Sequence, residues 1–374
     1  MPSETADIQM RPRTRVPADL SHFYVVTVIS NPQRFRRRYE LYDKFAKQCE
    51  AAGVKLITVE QAFGDRSFMV TDSKNPCHVQ VRGIDELWIK ENMLNLGVRR
   101  VLEIDQRAKE IAFIDADCFA MVPFREWMEE TWHQLQHYEI VQMWRDLLNF
   151  GPQNELIGDA QPSFIYFYEE HGFQIPKGWW AKPTAQEKSA TIQATDYVMG
   201  SRSLMPNSRF RQDQFGRPGL AWAFNVPAGN AIGWWMDRCI LGSGDWHFAH
   251  AVVGACTEQS TLVGTLQGHG SQEFAIPNYS QYILSYQEKC EYWIQRDVGY
   301  VPVTVGHWWH GKYKDRKYGS RGKILVENQY NPYVDVKYDA HGVLQLETVS
   351  PRQMKLRDQI RAYFRERNED SIDV

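Results

Sequence analysis

Ile111-Ala-Phe-Ile-Asp115-Ala-Asp117-Cys-Phe119 decides how this chain is read. An apolar run of strand length that ends in two carboxylates one residue apart predicts a buried central strand. Its tip leaves the sheet and delivers acidic ligands to a cleft. Open α/β sheets bind ligands at that carboxyl end. Carboxylates so close repel one another unless a cation lies between them, and Mg2+ or Mn2+ is the usual guest where phosphate oxygens supply the other ligands. The stretch therefore points to a metal-diphosphate site. Asp is also common where a strand gives way to a turn, so the reading needs support from the rest of the chain.

Upstream, Phe23-Tyr-Val-Val-Thr-Val-Ile29 has the β-branched and aromatic content of a buried strand. Asn31-Pro32 predicts a helix cap with proline at the first helical position, and the helix carrying Phe35, Tyr39, Tyr42, Ala46 and Cys49 stops at Gly53. Val54-Lys-Leu-Ile-Thr-Val59 is the next strand. A strand-helix-strand opening places a helix N-terminus at a strand tip, a ready anion site. Arg34, Arg36, Arg37 and Arg38 crowd that N-terminus, where the helix dipole disfavours them. They read as a solvated face or as contacts to phosphates or an acidic acceptor. A second helix over 85–96, with Gly97 as its stop, sets Ile84, Leu87, Trp88, Glu91, Leu94 and Asn95 on one face. Glu91 and Asn95 interrupt an apolar stripe, which predicts a satisfied polar network bracing the acidic strand, or Lys90 and its neighbours reaching a nucleotide.

Beyond Asp117 the pattern predicts a helix over 124–137, a strand over 139–143, and a polar loop before Phe164-Ile-Tyr-Phe-Tyr168. The region 172–217 is rich in Pro, Gly, Gln and Arg and reads as a lid or substrate loop. Leu241-Gly-Ser-Gly-Asp245-Trp-His247 is a glycine-rich turn opening a helix that ends at Gly254. Ser243 or Asp245 caps that helix, or Asp245 is held beside the substrate as a general base. Tyr300-Val-Pro-Val-Thr-Val-Gly306-His307-Trp-Trp-His310-Gly-Lys312 then places two histidines three apart after an apolar strand. A neutral imidazole is a good ligand for Mn2+. Lys312, Lys314, Arg316, Lys317 and Arg321 form a dense basic patch suited to a diphosphate leaving group, or a solvated loop. A hairpin around Asp339 and Gly342 and a charged helix over 353–367 close the chain and read as structural.

At 374 residues the chain can bury a sizeable core, and its net charge of -3 gives no global basic field of the kind that drives tight sequence-independent nucleic-acid binding. Six cysteines without CxxC spacing, no signal peptide and no apolar span near membrane length predict a soluble, reducing, cytoplasmic setting, the host cytoplasm if the source is viral. Many of the 13 tryptophans fall between positions 179 and 309, where they pack a core or offer flat faces to a sugar or base. The polar, proline-bearing stretch 1–21 reads as a flexible leader.

The ordered set Trp88-x-Lys90-Glu91-x-Met-Leu-Asn95, Phe113-Ile-Asp115-Ala-Asp117, Gly219-Leu-Ala-Trp222, Gly242-Ser-Gly-Asp245 and His307-Trp-Trp-His310-Gly-Lys312 resembles metal-dependent glycosyltransferases of the GT-A fold. The resemblance implies an α/β, Rossmann-like mixed sheet flanked by helices, with a C-terminal hairpin and helix. It implies a catalytic domain over 22–321, with a donor half near 22–145 and an acceptor half near 146–321, and an extension over 322–374. Asp117 would bind Mn2+ (or Mg2+) directly, with His310, His307 and Asp115 as further ligands. Asp115, Lys90, Lys312 and Arg316 would hold a nucleotide-sugar donor, a UDP-sugar by expectation, and Asp245 would be the catalytic base of an inverting reaction. Trp222, Trp246 and Arg34 are the expected acceptor contacts. More narrowly, the pattern is similar to bacteriophage enzymes that glycosylate hydroxymethylated pyrimidines such as hydroxymethylcytosine, which implies a DNA acceptor. A glycan, protein or small-molecule acceptor would use the same donor-side residues, and a noncatalytic carbohydrate-binding protein would use the tryptophans without the carboxylates.

Overall fold

The computed structural model describes residues 16–172, 216–256, 276–318 and 320–373. The expected loop over 172–217 lies almost wholly outside them. The first half runs β1 (Phe23–Ser30), α1 (Arg36–Ala51), β2 (Lys55–Phe63), β3 (His78–Gly83), α2 (Lys90–Ile104), β4 (Glu110–Ile114), β5 (Cys118–Ala120) and α3 (Phe124–Leu135). Then come β6 (Ile140–Gln142), β7 (Asp146–Phe150), β8 (Leu156–Pro162), α4 (Phe164–Glu170), β9 (Ala221–Asn225), α5 (Val226–Ile232) and α6 (Gly244–Val252). The last part holds α7 (Pro277–Trp293), β10 (Val298–Tyr300), β11 (Thr304–His307), α8 (Lys323–Glu327), β12 (Val336–Tyr338), β13 (Leu344–Leu346) and α9 (Pro351–Glu366).

These elements make the α/β architecture expected from the sequence, a mixed sheet flanked by helices with a C-terminal hairpin and helix. The main sheet has seven strands in the order β10-β6-β9-β4-β1-β2-β3. β1 is parallel to β2 and β4, and β9 runs antiparallel to its neighbours β4 and β6. All five residues of β4 are buried, which is why its sequence is continuously apolar apart from Glu110. Strand order reverses between β1 and β4, and ligands of open sheets sit at such a switch point. There the hydroxyl of Thr27 in β1 donates to the carbonyl of Ile114 at 2.8 Å, and the Asp115 amide donates to the Leu220 carbonyl at 2.8 Å. The acidic tip of β4 is thus fixed from both sides.

A second sheet, ordered β5-β11-β7-β8, stands beside that tip. β7 and β8 replace the polar loop expected before Phe164; β8 is mostly exposed, so its residues carry no apolar alternation to announce a strand. The apolar run from Tyr300 to Val305 also divides, β10 joining the main sheet and β11 the second.

Three helix boundaries differ from expectation. Asn31-Pro32 does not open α1: the Asn31 side chain accepts from the Phe35 amide at 2.9 Å and donates to the Phe35 carbonyl at 2.8 Å, closing a turn, and Arg34 has φ 57°. Gly97 does not stop α2 but lies inside it, where a Cβ would come within 2.4 Å of Val26 Cγ1. The glycine lets α2 lie close on β1. That helix starts only at Lys90, because Trp88 is engaged in a bridge with Leu241 and its amide donates to the Ile240 carbonyl at 3.0 Å. The hairpin β12–β13 and α9 match the expected extension, with Ser350 and Gln353 forming a capping box.

Candidate metal and donor site

The two-histidine segment meets the acidic turn through backbone pairing. β11 runs antiparallel to β5 with His307 opposite Cys118, and the Trp308 amide donates to the Asp117 carbonyl at 2.8 Å. Gly306 lies opposite Phe119, whose ring leaves no room for a Cβ there. Behind the strand, Trp308 stacks on Phe119 with ring centroids 4.1 Å apart.

This register brings three ligand atoms to one point. His310 Nε2 is 3.0 Å from Asp117 Oδ2 and 3.1 Å from His307 Nε2, and His307 Nε2 is 3.9 Å from the same carboxylate oxygen. Asp117 Oδ1 is buried with no hydrogen-bond partner. Burial opposes ionisation of Asp117, but His310, then His307 and Arg316, outweigh it and hold the carboxyl well below its usual range. Burial pushes both imidazoles down, His307 to about 3, which favours the neutral form with its nitrogen lone pair. One carboxylate and two neutral imidazoles converging on one point, with an orphaned carboxylate oxygen, fit a divalent first-row cation such as Mn2+. Among the described residues, these three form a group whose ligand atoms all lie within 4.8 Å of one another.

Asp115, the other acidic residue of the turn, is outside that group and pairs with Lys90. Lys90, the first residue of α2, places Nζ 2.5 Å from Asp115 Oδ1. Burial opposes the Lys90 charge, but Asp115, Asp245 and Glu91 outweigh it and raise the ammonium above its ordinary range. Asp115 is raised by burial and by Asp117, with Lys90 opposing.

Asp245 sits in the first turn of α6, after a backbone that Gly242 (φ 88°) and Ser243 (φ 69°) carry through the left-handed region. Ser243, at the N-cap, makes no side-chain cap, and Asp245 Oδ1 accepts from the Trp246 amide at 2.9 Å. Its Oδ2 lies against Gly219, where a Cβ would come within 2.7 Å. Gly244 gives room to Glu91, whose Oε1 would be 2.3 Å from a Cβ. Glu91 is 3% exposed, its Oε2 has no partner, and burial, with Asp245 and Asp115 adding, outweighs Lys90 and pushes it up to about 8. Asn95 is the satisfied half of the expected polar network: it accepts from the Trp235 amide and donates to the Trp235 carbonyl, each at 3.0 Å.

The structure therefore gathers Asp115, Asp117, Lys90, His307, His310 and Asp245 at one end of the sheet. Arg316 is buried and close enough to act on Asp117 and both histidines, while Lys312 is a third exposed with Nζ 3.5 Å from Asp373 Oδ2. Trp246 is half-buried, its ring centroid 4.8 Å from that of His250, and Arg34 is exposed on its turn. Trp222, expected among the acceptor contacts, is packed in the core instead: it is 2% exposed, donates Nε1 to the Pro218 carbonyl and meets Phe248 edge to face.

Sequence reasoning missed the last residues of the chain. Arg38 and Arg367 both bond the buried carboxylate of Glu369, and Asp370 accepts from the Arg36 and Arg37 amides at 3.0 and 2.8 Å. The Arg38 side chain and the amides of Arg36 and Arg37 are thus engaged by the chain's own tail. Nothing in the sequence marks the pairing in advance, since Glu369 and Asp370 lie more than three hundred residues from the helix start that they meet.

No protein-family model and no curated protein sequence matches the chain. Among solved structures it is similar to the catalytic domain of Drosophila beta1,4galactosyltransferase 7 in complex with xylobiose, at 10% identity and a TM-score of 0.27. The match covers 62% of this chain and 61% of that chain, so it spans less than two thirds of either. At that score the likeness says nothing about substrates. No described helix is long and apolar enough to cross a membrane.

Proposed function

We propose that the chain is a metal-dependent, inverting glycosyltransferase that moves a sugar from a nucleoside diphosphate sugar, a UDP-sugar by first choice, to an acceptor hydroxyl. The observation that carries this reading is the convergence of Asp117, His307 and His310 beside the Asp115–Lys90 pair, with Asp245 on the neighbouring helix start. A divalent cation bound there would supply positive charge to the departing diphosphate.

The protein's own groups divide the remaining work. Asp115 and Lys90 orient the nucleotide, and Lys312 and Arg316 meet the diphosphate charge. Asp245 takes the proton of the acceptor hydroxyl as that oxygen bonds to the anomeric carbon, and the bond from that carbon to the diphosphate oxygen breaks. Attack opposite the leaving group inverts the configuration. In this reading 22–145 forms the donor half and 146–321 the acceptor half, with 1–21 as a leader and 322–374 as the extension.

The donor side is tested by thermal shift with UDP and Mn2+. The parent should show a Mn2+-dependent rise in Tm, about 2.7 kcal/mol of stabilisation at a hundredfold excess over Kd, and Asp117→Ala should abolish it. A parent with no such shift would favour a noncatalytic carbohydrate-binding protein.

For the acceptor we propose a hydroxymethylated pyrimidine of DNA, the host cytoplasm being the setting if the source is a phage. Exposed Arg34 and the cationic segment 312–321 support it, and the pairing of Arg38 with Glu369, Lys312 with Asp373 and Lys317 with Glu366 weighs against it. UDP release with hydroxymethylated DNA but not with unmodified DNA is the expected result. Release with oligosaccharide, protein or small-molecule acceptors alone would replace it.

A further inference from the structure

The outer nitrogen of His310 faces a carboxylate contributed by the end of the chain. Glu369 Oε2 is 3.9 Å from His310 Nδ1, while His310 Nε2 points to Asp117 and His307. Glu369 is 1% exposed, and His310 Nδ1 is buried without a hydrogen-bond partner. A buried carboxylate is costly unless paired, and here two guanidiniums hold it: Arg38 bonds both oxygens, with Nη2 donating to Oε1 at 2.8 Å, and Arg367 Nε donates to Oε1 at 2.6 Å.

The tail that carries Glu369 is fastened to the histidine loop at several points. The Trp309 indole donates to the Ser371 carbonyl at 2.6 Å, Arg37 Nε donates to the Trp309 carbonyl at 2.9 Å, and Asp370 caps α1. Gly311, at φ 88°, lies so close to the tail that a Cβ would come within 2.8 Å of the Asn368 carbonyl oxygen and Glu369 Cα. The glycine of the His-Gly-Lys segment therefore admits the tail backbone behind His310.

We propose that Glu369 is a positioning residue of the metal site: its buried charge, 3.9 Å from His310 Nδ1, favours the tautomer that carries the proton on that outer nitrogen, so that the Nε2 lone pair is presented to the cation. Carboxylates in this relation to a metal-bound imidazole fix its tautomer and orientation, and their loss typically weakens metal binding about 10–100-fold. The inference rests on the metal-site reading above. It makes the C-terminal extension part of the donor site rather than an appendage.

The experiment measures Mn2+ binding directly, by calorimetry and by the electron paramagnetic resonance signal of free Mn2+, on the full chain. Glu369→Gln should weaken Mn2+ binding about 10–100-fold. Because it also leaves two guanidiniums without their carboxylate, the double variant Arg38→Met/Glu369→Gln is measured beside it, and should melt closer to the parent yet bind Mn2+ as weakly as the single variant. Ile360→Val, which loosens the buried face of α9 without touching the tail carboxylate, should keep parental Mn2+ affinity. Parental affinity in either Glu369 variant, or an equal loss in Ile360→Val, overturns the role of Glu369 alone. A parent whose Mn2+ binding is absent, or is unchanged by Asp117→Ala, overturns the metal site and this inference with it.

Discussion

Lys90 Nζ lies 2.5 Å from Asp115 Oδ1, so the first residue of α2 and the turn that follows the central strand are joined by an ion pair. Lys90 also answers to Asp245 and Glu91. That ammonium lets three acidic side chains share one place, with the Glu91 carboxyl pushed up to about 8 by burial. Lys90→Met should therefore lower stability by about 1–3 kcal/mol, the scale of a lost charged hydrogen bond, and weaken UDP binding in Mn2+. Melting without ligand and a UDP titration check both parts; parental values in both would remove the pair from the donor site.

Asp245 is expected to act on the acceptor and not on the donor. Asp245→Asn keeps size and the α6 start, so Mn2+ and UDP affinities should match the parent. Turnover should fall about 10²–10⁴-fold, the range that general bases contribute. A variant with full transfer would leave Asp245 as a residue of the helix start alone.

Glu110, at the start of β4, is 5% exposed with Oε2 unpartnered, and burial pushes its carboxyl up to about 7, with Lys109 opposing. Its ordinary value is 4.5, so the folded chain holds that proton more tightly than the unfolded one. The resulting stabilisation is full below the ordinary value and is lost as pH rises through the folded value. Glu110→Gln should flatten the stability profile across that window. At pH 8, where the parent must bury the charge, the variant should be the more stable by up to about 3 kcal/mol, since each tenfold difference in proton affinity between the folded and unfolded chain is worth about 1.4 kcal/mol. Urea melts at a series of pH values read this out, and a profile with unchanged slope would contradict it.

Gly97→Ala pits two effects of known size against each other. Alanine gains about 1 kcal/mol of helix propensity over glycine. A Cβ within 2.4 Å of Val26 Cγ1 and 3.3 Å of Val59 Cγ2, both in buried strands, forces α2 off the sheet, and overpacking of that kind costs about 1–3 kcal/mol. Net destabilisation is expected in thermal melting, whereas a stabilised variant would mean that α2 shifts freely.

The same glycine shows where sequence reading stops. A glycine that ends a helix and one that lets a helix approach a sheet look alike in one chain, because both rest on the missing Cβ. The acidic tip of β4 and the two histidines were legible because each follows an apolar strand that announces where it ends. Their meeting is a matter of β5–β11 register, which only the resemblance supplied in advance. Trp222 misled because an aromatic beside polar residues suits a sugar or a core equally. Glu369 was invisible for another reason: it follows a charged helix in a stretch indistinguishable from a solvated tail, and its role depends on that tail folding back over Gly311.

Gly311→Ala should expose that dependence. The substitution places a methyl against the Asn368 carbonyl and the Glu369 backbone and asks alanine to adopt φ 88°. Alanine at such an angle costs about 1–2 kcal/mol, and the clash adds to it, set against a tail pinned by the buried pairs of Glu369 with Arg38 and Arg367 as well as by the exposed Lys312–Asp373 pair. The tail segment against which the methyl is driven is the element expected to give way. Amide hydrogen exchange should therefore rise over 367–373 while the central strands β1 and β4 stay protected, and Trp309, which loses its bond to the Ser371 carbonyl, should change its fluorescence. Mn2+ affinity should fall with the exchange protection of the tail, since Glu369 leaves His310 when the segment lifts. Uniformly faster exchange across the whole sheet would instead mark Gly311 as a residue of global stability.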